Sequence, residues 1–518
     1  MIPTAPLDQA ISRRGYVIVL AVIVILAYLL RLHGVPFGYP ISTHPDEPRV
    51  VGIALAMART GDLNPDFFNY GSLTFYLLAL LYRIDMYWHG FADMPDIHYH
   101  VLGRVFVATL GVATIAATAQ AARILRGRVA GLAAGALLGA SPLHCASSFT
   151  VTVDAPATFW AALALLVAAH GLQRGPRPFH YLASGALAGL AIASKYIAWP
   201  ALLPIVIMNA RHARSWERWL SPRLVLAGCA AVLAFFLAMP YALLDTFTFA
   251  SHLTREKLHY SDGSIGSGPR PSRAWASYVN DLFLHGWGIV PSSLALVGFV
   301  WLRRKDAWTA LFAAAVPIAV LLFVGSYRVF FARNALVALP GLAILGAAGV
   351  LATSHAARML LDRFGIGSTA SRARWIPAGI TLAAVAAPLH ASWQWVAIRR
   401  LPDTRVVLAE WIHVHVPPGT CIAREALTTP LEMLVPEYEV LAANVAEMMA
   451  DPDRRAQLVI VSSKVYEPIL ARPELDPGRA RAYHLLFRRG ELLCEVVGDD
   501  SRYSGPTQRL YRLPAEGR

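Results

Sequence analysis

Up to about Pro402 the chain alternates between long apolar runs and short polar links rich in arginine; beyond it the texture changes. An apolar run of roughly 20 residues crosses a bilayer as a helix, because a helix satisfies its own backbone hydrogen bonds in lipid. The pattern places spans at Tyr16–Leu32, Val101–Ala122, Val129–Ala146, Ala155–Leu172, Tyr181–Ser194, Tyr196–Met208, Leu224–Tyr241, Leu284–Leu302, Ala307–Gly325, Ala335–Ala352 and Trp375–Trp393, about eleven crossings in all. Gly71–Trp88 is also apolar, but Arg83 and Asp85 interrupt it and a crossing there would invert every later loop. It reads as an interfacial or re-entrant helix packed on the outer face. One long helix over Tyr181–Met208 would hold Lys195 at mid-bilayer, at considerable cost, so two short spans meeting at Lys195 are preferred.

The polar tail reads as a small α/β domain. Thr404–His413 has helical spacing, Pro417-Pro418-Gly419 is a turn, and Leu458-Val459-Ile460-Val461 is a buried strand. A further helix lies around Arg479–Phe487, with strand-like segments at Leu492–Val497 and Gln508–Leu513. The expected organisation is a polytopic α-helical transmembrane domain over 1–400, with a first outer loop at 33–100, followed by an α/β domain over 401–518.

Composition agrees: 56% of residues are hydrophobic and 15% charged, against about 25% charged in a soluble chain. Mean hydropathy is +0.47. The formal net charge of +13 would suggest nucleic acid in a soluble chain. Here topology explains it without a polyanion partner. Arg13/Arg14, Arg123/Arg126/Arg128, Arg174/Arg177, Arg211/Arg214/Arg218/Arg223, Arg303/Arg304/Lys305 and Arg358/Arg363/Arg372/Arg374 all fall on one side of the threading. By the positive-inside rule that side is the cytoplasm, which leaves the tail outside. The Arg13-Arg14 pair before the first run resembles a secretion signal, but no small-x-small cleavage site follows, so the run reads as an uncleaved span. Cys421 and Cys494 in the tail are either a disulfide or two unpaired strand residues.

Several costly polar groups collect at the opposite face. Asp46 and Glu47 lie between Pro45 and Pro48 in the first outer loop, where the prolines stiffen the turn. Asp154 opens a span, Lys195 sits at a junction of two, Arg104 lies at the outer end of another, and Arg328 and Arg333 occupy a short outer loop. Acids and cations around an outward-facing cleft suit a lipid-phosphate donor: cations neutralise the leaving phosphate while a carboxylate takes a proton from the nucleophile. Each group also has a plainer reading. Asp154 and the Asp46-Glu47 pair could be helix caps, Lys195 a snorkelling side chain, and the arginines span anchors. His98 and His100 lack an obvious third and fourth metal ligand and read as interfacial anchors. Phe67-Phe68-Asn69-Tyr70 reads as a packing wedge or as a sugar platform.

At these residues the chain resembles glycosyltransferase family 39-like proteins, which include the protein O-mannosyltransferases and the lipid A aminoarabinose transferases. The likeness runs through His44-Pro45-Asp46-Glu47, Gly61-Asp62-Leu63-Asn64-Pro65, Phe67-Phe68-Asn69-Tyr70-Gly71-Ser72-Leu73, Leu102-Gly103-Arg104 and Ser141-Pro142-Leu143-His144 to Asp154. It continues at Ala193-Ser194-Lys195-Tyr196, Arg333-Asn334, Leu339-Pro340, Val459-Ile460-Val461-Ser462-Ser463 and Ser504-Gly505-Pro506. The resemblance implies the C-type glycosyltransferase fold, a bacterial inner-membrane location and a periplasmic tail. It implies catalytic acids at Asp46, Glu47 and Asp154, and donor-phosphate cations at Lys195 and Arg333, with Arg104 and Arg328 beside them. His44, Tyr70 and Tyr196 fall to the donor and acceptor pocket. Two departures stand out. Arg333-Asn334 replaces an Arg-Tyr pair, which puts a tyrosine contact in doubt, and Gly71 replaces a proline, which loosens that turn.

The function expected is inverting transfer of a sugar from a polyprenyl phosphate to an acceptor hydroxyl on glycan, lipid or protein, with no cofactor or metal required. The alternatives are a transporter or flippase of a lipid-linked sugar, or a non-catalytic scaffold of envelope glycan assembly. A transporter would show internal repeats and midplane charges, and a scaffold would not need so many ionisable groups at one end of its helices.

Overall fold

The computed structural model describes residues 11–91, 94–213, 221–262, 274–364, 375–450 and 456–513. Arg214, Arg218, Arg372 and Arg374 of the basic clusters lie outside these residues. The chain divides into two units, one of residues 1–35 and 46–395, the other of 36–45 and 396–518. The Pro36–Pro45 segment of the first outer loop, with His44, thus belongs to the C-terminal unit and not to the helical one.

The first unit is a bundle of helices whose outer surfaces are apolar. Along Arg13–Gly34, Tyr16, Leu20, Ala27 and Leu30 face inward while Ile18, Val22, Ile25 and Leu29 are exposed, an arrangement at home in lipid and costly in water. Between helices, small residues allow backbones to touch. A methyl group on Gly185 or Gly189 would stand 2.2 Å from the carbonyl oxygen of Ala227 or Ala231, four residues apart on the facing helix.

Each sequence-predicted span falls on a helix or a broken pair of helices, but fewer are long enough to cross alone. Among the described residues six helices are long and apolar enough, and seven if the bent pair Trp275–Gly286 and Ile289–Lys305 counts as one. The expectation of about eleven counts segments that the structure makes short or breaks. Arg128–Ala140 has 13 residues and ends at Ser141-Pro142, and Pro178–Ser194 and Pro222–Ala238 have 17 each. Tyr196–Met208 is a 3-10 turn followed by the helix Leu203–His212. Gly71–Trp88 becomes the helix Leu73–Trp88, which is not among the span candidates; Arg83 donates to the Ala58 carbonyl of the Glu47–Thr60 helix at 2.7 Å.

At one end of the bundle three of the basic clusters meet. Asp306 pairs with Arg126 at 2.9 Å and Arg211 at 3.1 Å, and Arg123 lies over the ring of Tyr16 at the start of the first helix. Loops assigned to one face on charge alone are neighbours in space.

The C-terminal unit holds a five-stranded sheet of order β2-β1-β3-β5-β4, with β1 Cys421–Arg424, β2 Glu439–Ala442, β3 Leu458–Ser462, β4 Glu491–Val496 and β5 Gln508–Arg512. β3 is parallel to β1 and antiparallel to β5, and is buried on both faces, which explains its unbroken apolar sequence. Helices Thr404–His415 and Pro477–Arg489 form beside it; the sequence missed the short strands β1 and β2. Cys421 and Cys494 are both free. β1 and β4 are separated by two strands, about 14 Å, far beyond disulfide reach.

Candidate functional site

Lys195 and Arg333 are presented by the same local device. Pro178–Ser194 stops, Lys195 is extended, a 3-10 segment Tyr196–Leu202 follows, and Leu203–His212 starts with Pro204 in its first turn. Likewise Phe331 is extended, Ala332–Ala338 is 3-10, and Leu339–Arg363 starts with Pro340. Prolines in the first helical turn cost no hydrogen bond there and forbid continuation of the preceding helix. Each break places a cation at a helix end, where it meets other chain segments.

Those segments bring the acids. The Lys195 ammonium donates to Asp154 Oδ1 and, at 2.8 Å, to Asn334 Oδ1. Arg333 pairs with Asp46 Oδ2 at 2.7 Å and approaches Asp154 Oδ2 at 3.8 Å. Two carboxylates and two cations from four separated stretches therefore form one contiguous, charge-balanced quartet. Asp154 and Lys195 are buried, while Asp46 and Arg333 are each about a quarter exposed. Asn334 closes the group, its amide donating to the hydroxyls of Tyr260 at 3.3 Å and Tyr278 at 3.2 Å. Two tyrosines from other elements thus meet Asn334, the residue that stands where the resemblance expects a tyrosine. Burial pushes the Tyr260 phenol well above its ordinary pKa, so it stays protonated at neutral pH.

Beside the quartet lies a cavity of about 360 Å³, lined by Lys195, Tyr70, Tyr196, Tyr260, Glu256 and Phe323 among others. Its floor is the loop that the sequence left as wedge or platform, and the structure divides that loop. Phe68 is buried against Phe249, whereas Asn69 and Tyr70 reach the cavity. The loop is held by Tyr196, whose hydroxyl donates to the carbonyls of Phe68 at 2.9 Å and Tyr70 at 3.3 Å. It is held also by the helix Thr246–Asp262, where His252 accepts from the Phe68 amide and Glu256 from the Asn69 side chain at 2.8 Å. This helix lies between the Leu224–Tyr241 and Leu284–Leu302 spans, where the apolar pattern marks no element. The signal was present: His252, Glu256 and Tyr260 recur every four residues and so share a face.

Gly71 does the opposite of loosening its turn. A Cβ there would stand 1.9 Å from the carbonyl oxygen of Ala193, two residues before Lys195. Only glycine permits this approach of loop to helix end.

Glu47 and Arg104 pair with each other. Both are fully buried; Arg104 Nε and Nη2 donate to the two Glu47 oxygens at 2.9 and 2.6 Å, and Arg104 Nη1 to the Val35 carbonyl at 2.8 Å. The Val151 amide donates to Glu47 Oε1 at 2.7 Å. Burial alone would raise the Glu47 carboxyl, but these donors outweigh it and hold the group below its usual range. The pair ties the start of the first outer loop to Val151, three residues before Asp154. Arg328 is exposed, and its backbone amide donates to the Tyr260 carbonyl at 3.3 Å. His44 lies in the other unit.

Known proteins are similar to this chain at the level of the fold. Residues 100–243 match the family described as dolichyl-phosphate-mannose-protein mannosyltransferase. ArnT from Cupriavidus metallidurans bound to undecaprenyl phosphate is similar at TM-score 0.54 and 15% identity, over 96% of this chain and 98% of that one. The oligosaccharyltransferase AglB from Archaeoglobus fulgidus, in complex with an inhibitory peptide and a dolichol-phosphate, is similar at 0.52 and 11%, over 91% and 72%. Arabinofuranosyltransferase AftD from Mycobacteria is similar at 0.51 and 17%, over 98% and 40%. No curated protein sequence matches. The chain has the C-type glycosyltransferase fold.

Proposed function

We propose that the protein is an integral-membrane glycosyltransferase that moves a sugar from a polyprenyl phosphate to an acceptor hydroxyl at the outer, periplasmic face, with inversion. The observation that carries this reading is the quartet of Asp46, Asp154, Lys195 and Arg333 beside a tyrosine-lined cavity. Two proteins of the same fold hold a polyprenyl phosphate, which supports the donor class.

Without donor, the carboxylates serve as counter-ions that keep the two cations neutralised in a poorly solvated place. An arriving phosphate competes for Lys195 and Arg333. As Arg333 turns toward the phosphate, Asp46 is released to act as base. The acceptor oxygen attacks the anomeric carbon and its proton passes to Asp46. The bond from that carbon to the phosphate oxygen breaks, with the electron pair and charge left on the phosphate beside Lys195 and Arg333. Asp154 keeps the Lys195 ammonium in position. Glu47 and Arg104 act at one remove, fixing the backbone that carries Asp46 and Asp154. The cations bear the phosphate charge, so this step assigns no metal a part in it.

The test is Asp46→Asn in purified full-length protein given a radiolabelled polyprenyl-phosphate sugar and acceptor membranes. Donor binding should persist while transfer is lost. Undiminished transfer overturns the assignment of the base, and label that crosses the bilayer without being transferred favours a flippase.

A further inference from the structure

Away from the quartet, three side chains not used by the proposed reaction meet where the interfacial helix gives way to the next span. Asp85 and His89 lie one turn apart at the C-terminal end of Leu73–Trp88, and His98 lies in the first turn of Asp96–Arg126. From the geometry we infer that Asp85, His89 and His98 form a binding site for a divalent transition-metal ion of the zinc class, joining the two helices at the outer face.

The donor atoms are already close. His98 Nε2 is 2.8 Å from Asp85 Oδ2, His89 Nδ1 is 3.5 Å from the same oxygen, and all three ligand atoms lie within 4.8 Å of one another. In a tetrahedral zinc site with bonds near 2.0–2.1 Å, neighbouring ligand atoms are about 3.3 Å apart. Side-chain adjustment of roughly an ångström, chiefly between the two imidazoles, therefore closes the site. Orientation is partly fixed beforehand. The His98 ring packs edge-on against Tyr99 at 5.2 Å, and the two imidazoles stand nearly perpendicular at 5.8 Å. His89 bonds the Asp85 main-chain carbonyl at 3.0 Å, a contact it must exchange for the metal.

The donor set selects the ion. Two imidazoles and one carboxylate suit Zn²⁺, Co²⁺, Ni²⁺ or Cu²⁺, whereas Ca²⁺ and Mg²⁺ require six or more oxygens. Asp85 is mostly buried and His89 is 40% exposed, so one side stays open for entry and for water as the fourth ligand. The consequence is mechanical. The site would pin the end of the interfacial helix to the helix that carries His100 and Arg104, and so to the clamp on Glu47.

The experiment uses full-length protein in detergent, with any affinity tag removed, stripped of metal and titrated with Co²⁺. One equivalent should bind with visible absorption of four-coordinate intensity, be displaced by Zn²⁺, and be lost in both His89→Ala and His98→Gln. Zn²⁺ should raise the melting temperature of the parent and not of these variants. The glutamine variant retains a hydrogen bond to Asp85, and elution as a monodisperse species establishes that it is folded. No metal retained above the buffer control, or an unchanged cobalt spectrum in either variant, overturns the inference.

Discussion

Gly71→Ala tests the site through its most demanding contact. The added methyl would lie 1.9 Å from the Ala193 carbonyl oxygen, where an ordinary contact begins at 3.4 Å, so loop and helix end must part by about 1.5 Å. The strain falls on two places that matter. Tyr70 is the preceding residue and lines the cavity, and Ala193 precedes the extended Lys195 by two residues. Overpacking of this kind costs roughly 1–3 kcal/mol of stability. Its larger effect should be on turnover, because a misplacement of about 1 Å in a site whose catalysis is positioning costs on the order of 100-fold. The assay is steady-state transfer from a labelled polyprenyl-phosphate sugar, with donor binding measured separately. Gly52→Ala is the control: it adds the same methyl to the Glu47–Thr60 helix with nothing within 4 Å, and should stabilise by roughly 0.5–1 kcal/mol. A folded Gly71→Ala protein that transfers sugar as fast as the parent would refute the claim that this approach shapes the site.

Three other perturbations separate structural from chemical roles. Lys195→Met takes from the buried Asp154 carboxylate its closest ion-pair partner and leaves Arg333 at 3.8 Å, and should destabilise by about 3–5 kcal/mol; adding Asp154→Asn should restore the melting temperature but no transfer. Glu47→Gln should lower thermal stability by a similar 3 kcal/mol or so, more than Asp46→Asn, because it unmakes a fully buried bidentate pair; equal stability of the two variants would remove its positioning role. In the tail, burial lifts the Glu425 carboxyl to about 7, against the Tyr483 hydroxyl that donates to it. Its protonated form is favoured in the folded state, so stability is greatest below about 4.5 and falls as pH rises to about 7, by roughly 3 kcal/mol in all. Glu425→Gln should abolish this slope in hydrogen exchange of β1 and β3; an unchanged pH profile would show that Glu425 is not its source.

The readable parts of this fold are those that local chemistry decides. Apolar runs marked the candidate spans though not the polar helix Thr246–Asp262, and Lys195 marked a break, because a lysine in mid-bilayer costs more than a broken helix. What the runs did not reveal is length. Whether Arg128–Ala140 crosses depends on Ser141, which caps the next turn and donates to the Gly286 carbonyl, a partner far along the chain. The site was legible to the same degree. Asp46, Asp154, Lys195 and Arg333 stood out because charge at an apolar boundary is expensive, and the structure brings them together. Glu47 and Arg104 stood out for the same reason but are spent on each other, and nothing in sequence distinguishes a charge kept for a substrate from one satisfied by a partner 57 residues away. Asn334, Glu256 and Gly71 were passed over or misread because their value lies in what approaches them. An asparagine after Arg333 reads as a lost tyrosine until Tyr260 and Tyr278 arrive from elsewhere. A glycine in place of proline reads as slack until the Ala193 carbonyl stands where a side chain would be. Cost of burial can be estimated one residue at a time; complementarity belongs to pairs, and a pair exists only once the chain has folded.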